Sequence, residues 1–112
     1  MEKQIFKFTD YKVDVEIDGH DFKLDCSSKT ADKITAASEE FRKISTAMIN
    51  GEKTVADAIE YGHAFIDELL GEGASKVIFA ERDALIDDVT DLFMWISQTV
   101  SGFQTTNRSR WR

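Results

Sequence analysis

The sequence predicts an α+β fold, mostly α, in which an N-terminal β-hairpin packs on three to four helices. Alternating apolar and charged residues flank the dipeptide Asp18-Gly19, which is typical of a hairpin. Later segments carry apolar residues three and four positions apart, which is typical of amphipathic helices. Since no proline or linker interrupts the chain, we expect a single α+β domain over residues 1–104, followed by a basic, flexible tail over residues 105–112.

The hairpin register follows from its turn. Both residues of a two-residue Asp-Gly turn favour positive φ, and the turn fixes which positions face each other. It places six side chains on one face, in the pairs Tyr11–Cys26, Val13–Leu24 and Val15–Phe22. On the other face it predicts an ion pair between Asp14 and Lys23. A lone hairpin is marginally stable in water, so its apolar face is expected to cover helices.

The segment before the hairpin offers an additional edge strand. Residues 1–10 contain Ile5, Phe6 and Phe8, which are residue types that favour strands. We therefore expect this segment to add a strand at the edge of the sheet.

The first helix is predicted after the hairpin. Ser27, Ser28 and Thr30 are candidate N-caps because their hydroxyls accept bonds from free backbone N–H groups. Asn50-Gly51 is expected to end the helix, since both residues tolerate left-handed backbone geometry. Its apolar seam has the spacing 3-4-3-4 and consists of Ile34, Ala37, Phe41, Ile44 and Met48.

The second helix begins with Thr54 and Asp57, which resemble a capping box with a shorter acid. Gly71 is expected to end it. Gly62 in its interior lowers helix propensity, and our hypothesis is that it permits close packing against a neighbour. The apolar positions of this helix are Val55, Ala58, Ile59, Phe65, Ile66, Leu69 and Leu70.

A short helical segment is predicted from Ala74 to Phe79, and a last helix from near Arg82 or Asp83 to Gly102. The last helix has the seam Ile86, Val89, Phe93, Ile96 and Val100.

One run within that last helix is apolar on every side, and it consists of Leu92, Phe93, Met94 and Trp95. Such a run is buried on more than one face. In a domain of this size it predicts either a central helix or a subunit or partner interface at these four residues. Because tryptophan is enriched at binding hot spots, our hypothesis is the interface, and we expect a homo-oligomer.

Composition narrows the functional classes. The net charge is −7, and the three arginines of the tail lie within Arg108–Arg112, so the body is more acidic still. An acidic body repels nucleic acid. No apolar run approaches the ~18 residues of a membrane span, and the N-terminal residues lack the apolar core of a signal peptide. The single cysteine, Cys26, excludes an internal disulfide, and we expect a cytoplasmic protein with no nucleic-acid or membrane partner.

The glycine-rich stretch Gly71-Glu72-Gly73, with Lys76 after it, hints at a phosphate cradle. Its spacing fits neither the Walker A loop nor the dinucleotide fingerprint, and both motifs require a preceding strand where a helix is predicted here. We interpret Gly71 and Gly73 as a structural joint that reverses the chain.

No catalytic, cofactor-binding or metal-binding residue is expected. His63 shares a helix face with Glu60 and Asp67, a trio that we interpret as solvated rather than as metal ligands. Cys26 lies on the apolar face of the hairpin without a histidine to activate it, so we expect a buried hydrophobe. The sequence thus predicts a protein that is not an enzyme.

One segment carries a family resemblance. The run Phe65–Phe79, F-I-D-E-L-L-G-E-G-A-S-K-V-I-F, is similar to the F-D-x-x-F-G-E-G-T-x-x-K-x-F signature of small proteins from tail-gene clusters of siphophages and prophages of Gram-positive bacteria. Leu70 replaces an aromatic residue and Ala74 a threonine of that signature. The order of predicted elements resembles the family over residues 13–100, and only the Gly-Glu-Gly segment is specific.

The resemblance implies a tail assembly chaperone. Such a protein would coat the apolar helices of the tape-measure protein and help tail tube proteins gather around them in the host cytoplasm. Two alternatives stay open. One is a minor virion structural protein that takes part in head-tail joining or tail completion, and the other is a small regulatory protein-binding module.

Overall fold

The computed structural model describes residues 2–80 and 85–109, with side chains described as far as residue 106. Its fold is α+β and mostly α, as predicted, with a hairpin followed by four helices within these residues. The elements are β1 (Lys12–Ile17), β2 (His20–Asp25), α1 (Ser28–Ile49), α2 (Val55–Leu70), α3 (Ala74–Ile78) and α4 (Ile86–Ser109).

The hairpin has the predicted register. Asp18 and Gly19 both have positive φ, at 50° and 84°, as a tight two-residue turn requires. The partners across the strands are those expected from the turn, including Val13 with Leu24 and Val15 with Phe22. Lys23 and Asp14 form the expected exposed ion pair, with 2.6 Å between Nζ and Oδ1. The prediction of a third strand before the hairpin is wrong, and residues 2–10 form no strand.

Three long helices form the body. The turn at residues 50–54 sends α2 back along α1, and the capping box predicted at Thr54 and Asp57 is present. Phe93 of α4 contacts Phe41 of α1 and Phe65 of α2, with ring centroids 5.2 and 5.7 Å apart. The side chains buried where these helices meet the hairpin are Leu24, Cys26, Ile34, Ala37, Phe65, Ile96 and Val100.

Helices α2 and α4 run in the same direction, since Gly62 lies beside Val89 and Phe65 beside Phe93. A Cβ atom built on Gly62 would overlap the Val89 Cγ1 methyl. The absence of a side chain therefore lets the two helices approach closely, which agrees with the packing hypothesis for this glycine.

Parallel helices require a return connection, and the segment after α2 supplies it. Gly71 and Gly73 have φ of 113° and 84°, which only glycine adopts without strain. Asp67 holds the reversal in place, because its carbonyl accepts from Gly71 N–H at 2.8 Å and its Oδ1 accepts from Ser75 N–H at 2.7 Å. Helix α3 then packs along α2, and Phe79 stacks on His63.

The end predicted for the last helix is wrong. Helix α4 continues through Gly102 to Ser109, so the domain boundary expected at residue 104 falls inside it. Phe103 contacts Tyr11 of the hairpin, and Gln104 Nε2 donates to the Cys26 carbonyl at 3.4 Å. These contacts offset the roughly 1 kcal/mol that an internal glycine costs a helix.

Two predicted features lie outside the described residues. They are the start of the last helix near Arg82 or Asp83, and the final tail residues Arg110–Arg112 with Trp111. Within the described part, α4 is seen from Ile86 onward.

Replacing Gly62 by alanine tests the close approach of α2 and α4. The methyl overlap with Val89 costs about 1–3 kcal/mol and outweighs the roughly 1 kcal/mol of helix propensity gained, so we expect a net loss of about 1 kcal/mol in the free energy of unfolding. Gly102→Ala is the matched control, because no atom lies within 4 Å of the position its Cβ would take. Urea titration should show this control gaining stability, and a Gly62→Ala protein that gains as much would contradict the packing account.

Replacing Asp67 tests the return connection. Asp67→Ala removes the acceptor for Ser75 N–H, and we expect the free energy of unfolding to fall by about 1 kcal/mol, the usual cost of a lost N-terminal cap. Asp67→Asn keeps a side-chain oxygen and should retain most of the stability. Equal stability of the alanine and asparagine variants in chemical denaturation would argue against a capping role.

Candidate functional site

An apolar groove lies between α1 and α4 on the outside of the bundle. Its volume is about 310 Å³, and we call it the α1–α4 groove. Its lining residues are Ser38, Phe41, Ile44, Ser45, Met48, Ala58, Ile86, Thr90 and Phe93. A second hollow of about 270 Å³ lies between the same helices towards the end of α4, beside Ala31, Ser97 and Gln104. The two helices are antiparallel, because Met48 lies near Ile86 and Ala31 lies near Gln104.

Small hydroxyl residues explain why the two helices leave space between them. Ser38, Ser45 and Thr90 stand on the facing sides, where larger side chains would fill the gap. The Ser38 hydroxyl donates to the Ile34 carbonyl at 3.1 Å, and Ser97 donates to the Phe93 carbonyl at 2.9 Å. Because the Ser38 hydroxyl in the groove and the Ser97 hydroxyl in the second hollow bond within their own helices, they add little polar character to the surface offered to a partner.

The predicted partner interface divides between core and surface. Leu92 and Phe93 are partly buried and pack against the core, so they support the fold. Met94 is 51% exposed and Trp95 is 41% exposed. Met94 lies one turn after Thr90 and borders the α1–α4 groove, whereas Trp95 lies about 100° further round the helix and faces away from it.

Two exposed apolar residues at one end of the groove were not among the predicted interface residues. Ile49 follows Met48 and is 85% exposed, and Leu85 precedes Ile86 and is 56% exposed. Neither residue belongs to the apolar seams that the sequence predicts. An apolar residue outside those seams is the sequence signal that could have identified both as exposed. Together with Met94 they extend the apolar border of the groove.

Acidic residues flank this apolar surface. Asp87 and Asp91 are exposed on α4 and share a helix face with Met94. On α1, Glu39 pairs with Arg42, with 2.6 Å between Oε2 and Nη2. The surroundings of the groove on α4 are therefore negative and favour a partner that carries basic residues beside its apolar side chains.

His63 does not lie on a solvated face, in contrast to its interpretation from the sequence. It is half-buried, its ring is stacked on Phe79 with centroids 4.9 Å apart, and its Nε2 is buried without a hydrogen-bond partner among the described residues. The return connection covers this side of α2, which helical periodicity could not reveal. Asp67 is engaged in capping α3, so the trio with Glu60 does not converge.

The described residues contain no group of three His, Cys, Asp or Glu side chains arranged to hold a metal ion. The same residues include no helix with the length and apolarity needed to cross a lipid bilayer.

No protein-family model, no curated protein and no solved structure matches this chain. The functional interpretation therefore depends on its own residues and on their arrangement.

Cys26 is buried in the core, where its Sγ contacts the Leu24 carbonyl at 3.8 Å. Burial, with a smaller contribution from the charge of Asp25, raises the pKa of this thiol. A raised pKa leaves little thiolate near neutral pH, and the thiolate is the form that reacts. This environment fits a packed hydrophobe rather than a nucleophile.

We expect Cys26 to resist iodoacetamide at pH 7 in the folded protein and to react readily in urea. Raising the pH from 7 to 9 should increase its labelling rate by a larger factor than that of a free cysteine peptide, because the raised pKa keeps the thiolate fraction of Cys26 climbing over a range in which that of the peptide levels off. Mass spectrometry of labelled protein measures both rates. Fast labelling of the native chain would show that the thiol is accessible and ionised.

Proposed function

We propose that this protein is a non-enzymatic phage protein that acts as a tail assembly chaperone. In this proposal the α1–α4 groove binds an amphipathic helix of the tape-measure protein, and the complex then gathers tail tube proteins. The observation that carries the proposal is an apolar groove open to solvent, with exposed Ile49, Leu85 and Met94 at its border.

The dimensions of the groove suit a helix. Along α1 it extends from Ser38 to Met48, which corresponds to about 15 Å at 1.5 Å per residue. A partner helix of three turns covers that length and presents apolar residues at positions i, i+3, i+4 and i+7. Flexible methionine side chains, here Met48 and Met94, adapt to different apolar partners.

The charges beside the groove support the same partner, an amphipathic helix. Asp87 and Asp91 beside the groove favour a helix with basic residues on either side of its apolar stripe. A net charge of −7 also keeps a protein with exposed apolar residues dispersed in water. The similarity of the Gly-Glu-Gly segment to phage tail-cluster proteins indicates which partner to test first.

Co-expression with the tape-measure protein tests the proposal. We expect the wild-type chain to co-purify with that protein and to keep it in the soluble fraction. Thr90→Arg places a long charged side chain into the groove and should reduce co-purification at least tenfold. Gln98→Arg is the matched control, because it adds the same side chain at an exposed position of α4 that does not line the groove.

The outcomes separate the functional classes. Loss of binding in Thr90→Arg but not in Gln98→Arg supports the groove. If the wild-type chain neither binds nor solubilises the tape-measure protein, the chaperone proposal is lost. Recovery of the chain in purified virions in stoichiometric amounts would instead favour a structural component of the particle.

A further inference from the structure

Residues 2–10 form a segment that leads away from β1, and we call it the N-terminal arm. It has no regular secondary structure, and it exposes 73% of Ile5 and 89% of Phe8. Phe6 and Phe8 contact each other edge to face, with centroids 5.0 Å apart. Side chains two residues apart lie on one side of an extended chain, so the arm would present both phenyl rings on one side when it pairs as a strand.

Strand β1 offers an edge that such an arm can use. Among the described residues the sheet has only β1 and β2, and β2 lies against α2. In an antiparallel ladder every second residue directs its N–H and C=O away from its partner strand. The Cys26 N–H donates to the Tyr11 carbonyl at 2.8 Å, and in this register Asp14 and Glu16 are the residues that point outward.

The arm does not fill this edge in its own chain. Tyr11 is held in the ladder by Cys26, and Asp10 Oδ1 accepts from the Lys12 N–H at 3.0 Å, which occupies the first outward N–H of β1. Residues 2–10 therefore form no strand on the β1 edge of their own chain. An extended segment satisfies its backbone groups best by pairing with a strand edge, since helices have already bonded their own backbone.

We propose that the N-terminal arm of one copy pairs as a third strand with the β1 edge of a second copy. Because the arm leads directly into β1, a two-fold axis that seats one arm also seats the other. Reciprocal exchange of arms then forms a closed dimer rather than an open chain. This surface is separate from the α1–α4 groove, and the proposal does not depend on the identity of a phage partner.

The two sides of the arm match the two faces of the hairpin. Phe6 and Phe8 would extend the apolar face that Val13 and Val15 begin. Lys3 and Lys7 alternate with the phenyl side and would meet the charged face.

That charged face has an unbalanced pair. Glu16 lies directly opposite Asp21, and like charges in this position are destabilising. Asp14 differs, because Lys23 already neutralises it. A lysine brought in by a third strand next to Glu16 would offset the repulsion, which supplies charge complementarity between arm and edge.

Light scattering on the full-length chain tests the exchange. We expect a dimer at tens of micromolar, and we expect Phe8→Asp to raise the dimer dissociation constant at least tenfold. Val77→Asp is the matched control, since it makes the same kind of change at an exposed apolar residue of α3 and should leave the dimer intact. A monomeric wild-type protein, or a Phe8→Asp protein that dimerises as tightly, would overturn the proposal.

Proline variants identify the edge. Glu16→Pro removes an N–H that points away from β2, and Asp21→Pro makes the equivalent change on the outer edge of β2. The exchange predicts that only Glu16→Pro weakens the dimer at least tenfold. Loss of the dimer in Asp21→Pro alone would assign the contact to β2 and refute the β1 edge.

Hydrogen exchange of the unmodified chain gives a measurement that does not depend on how the variants fold. The backbone N–H groups of Ile5, Lys7, Asp14 and Glu16 should exchange at least tenfold more slowly in concentrated than in dilute solution. Free exchange of these groups in a dimer would mean that the copies meet elsewhere, and the arm proposal would be rejected.

Discussion

The close approach of α2 and α4 at Gly62 is the constraint on which the rest of the structure depends. With no side chain at Gly62, the Val89 methyl groups reach the α2 backbone. The same approach brings Phe65 and Phe93 together, and Phe41 joins them from α1. Aromatic contacts with tilted or edge-to-face rings are favourable beyond the area they bury, so the three helices meet at one specific level.

The parallel direction of α2 and α4 determines what surrounds α2. The chain must return along α2 before α4 begins, and Gly71, Gly73 and Asp67 make that return possible. Phe79 then covers His63, and β2 covers another side of the same helix. Helix α2 is therefore the central helix, and the exposed apolar groove lies between α1 and α4.

The hydroxyl residues on α1 and α4 give that open surface its form. They allow α1 and α4 to pack where Phe41 meets Phe93. On either side of this contact they leave the α1–α4 groove and the second hollow between the same helices. At the opposite side of the molecule, the hairpin ends at Tyr11 while the chain before it continues into solvent. The protein thus has two distinct exposed surfaces, the apolar groove between α1 and α4 and the outer edge of β1.

The sequence by itself determined the elements whose signals are local. Asp18-Gly19 determined the hairpin and its register, because turn geometry and strand alternation select the same pairing. The helix ends were determined in the same way, since capping depends on residues within one turn. The start of α2 followed from Thr54 with Asp57, its end from Gly71, and the end of α1 from Gly51. The interior glycine Gly62 indicated a close approach, although it did not indicate the partner helix.

Only the tertiary structure decided features that depend on which segments meet. Gly102 resembles a helix end, but contacts of Phe103 and Gln104 with the hairpin carry α4 past it. His63 resembles a surface residue until the return connection lies over it. Leu92 and Phe93 cannot be distinguished from Met94 and Trp95 by composition, because their roles follow from the direction in which α4 faces its neighbours. Local patterns encode backbone conformation and amphipathicity, whereas long-range packing alone determines which apolar side chains remain exposed for a partner.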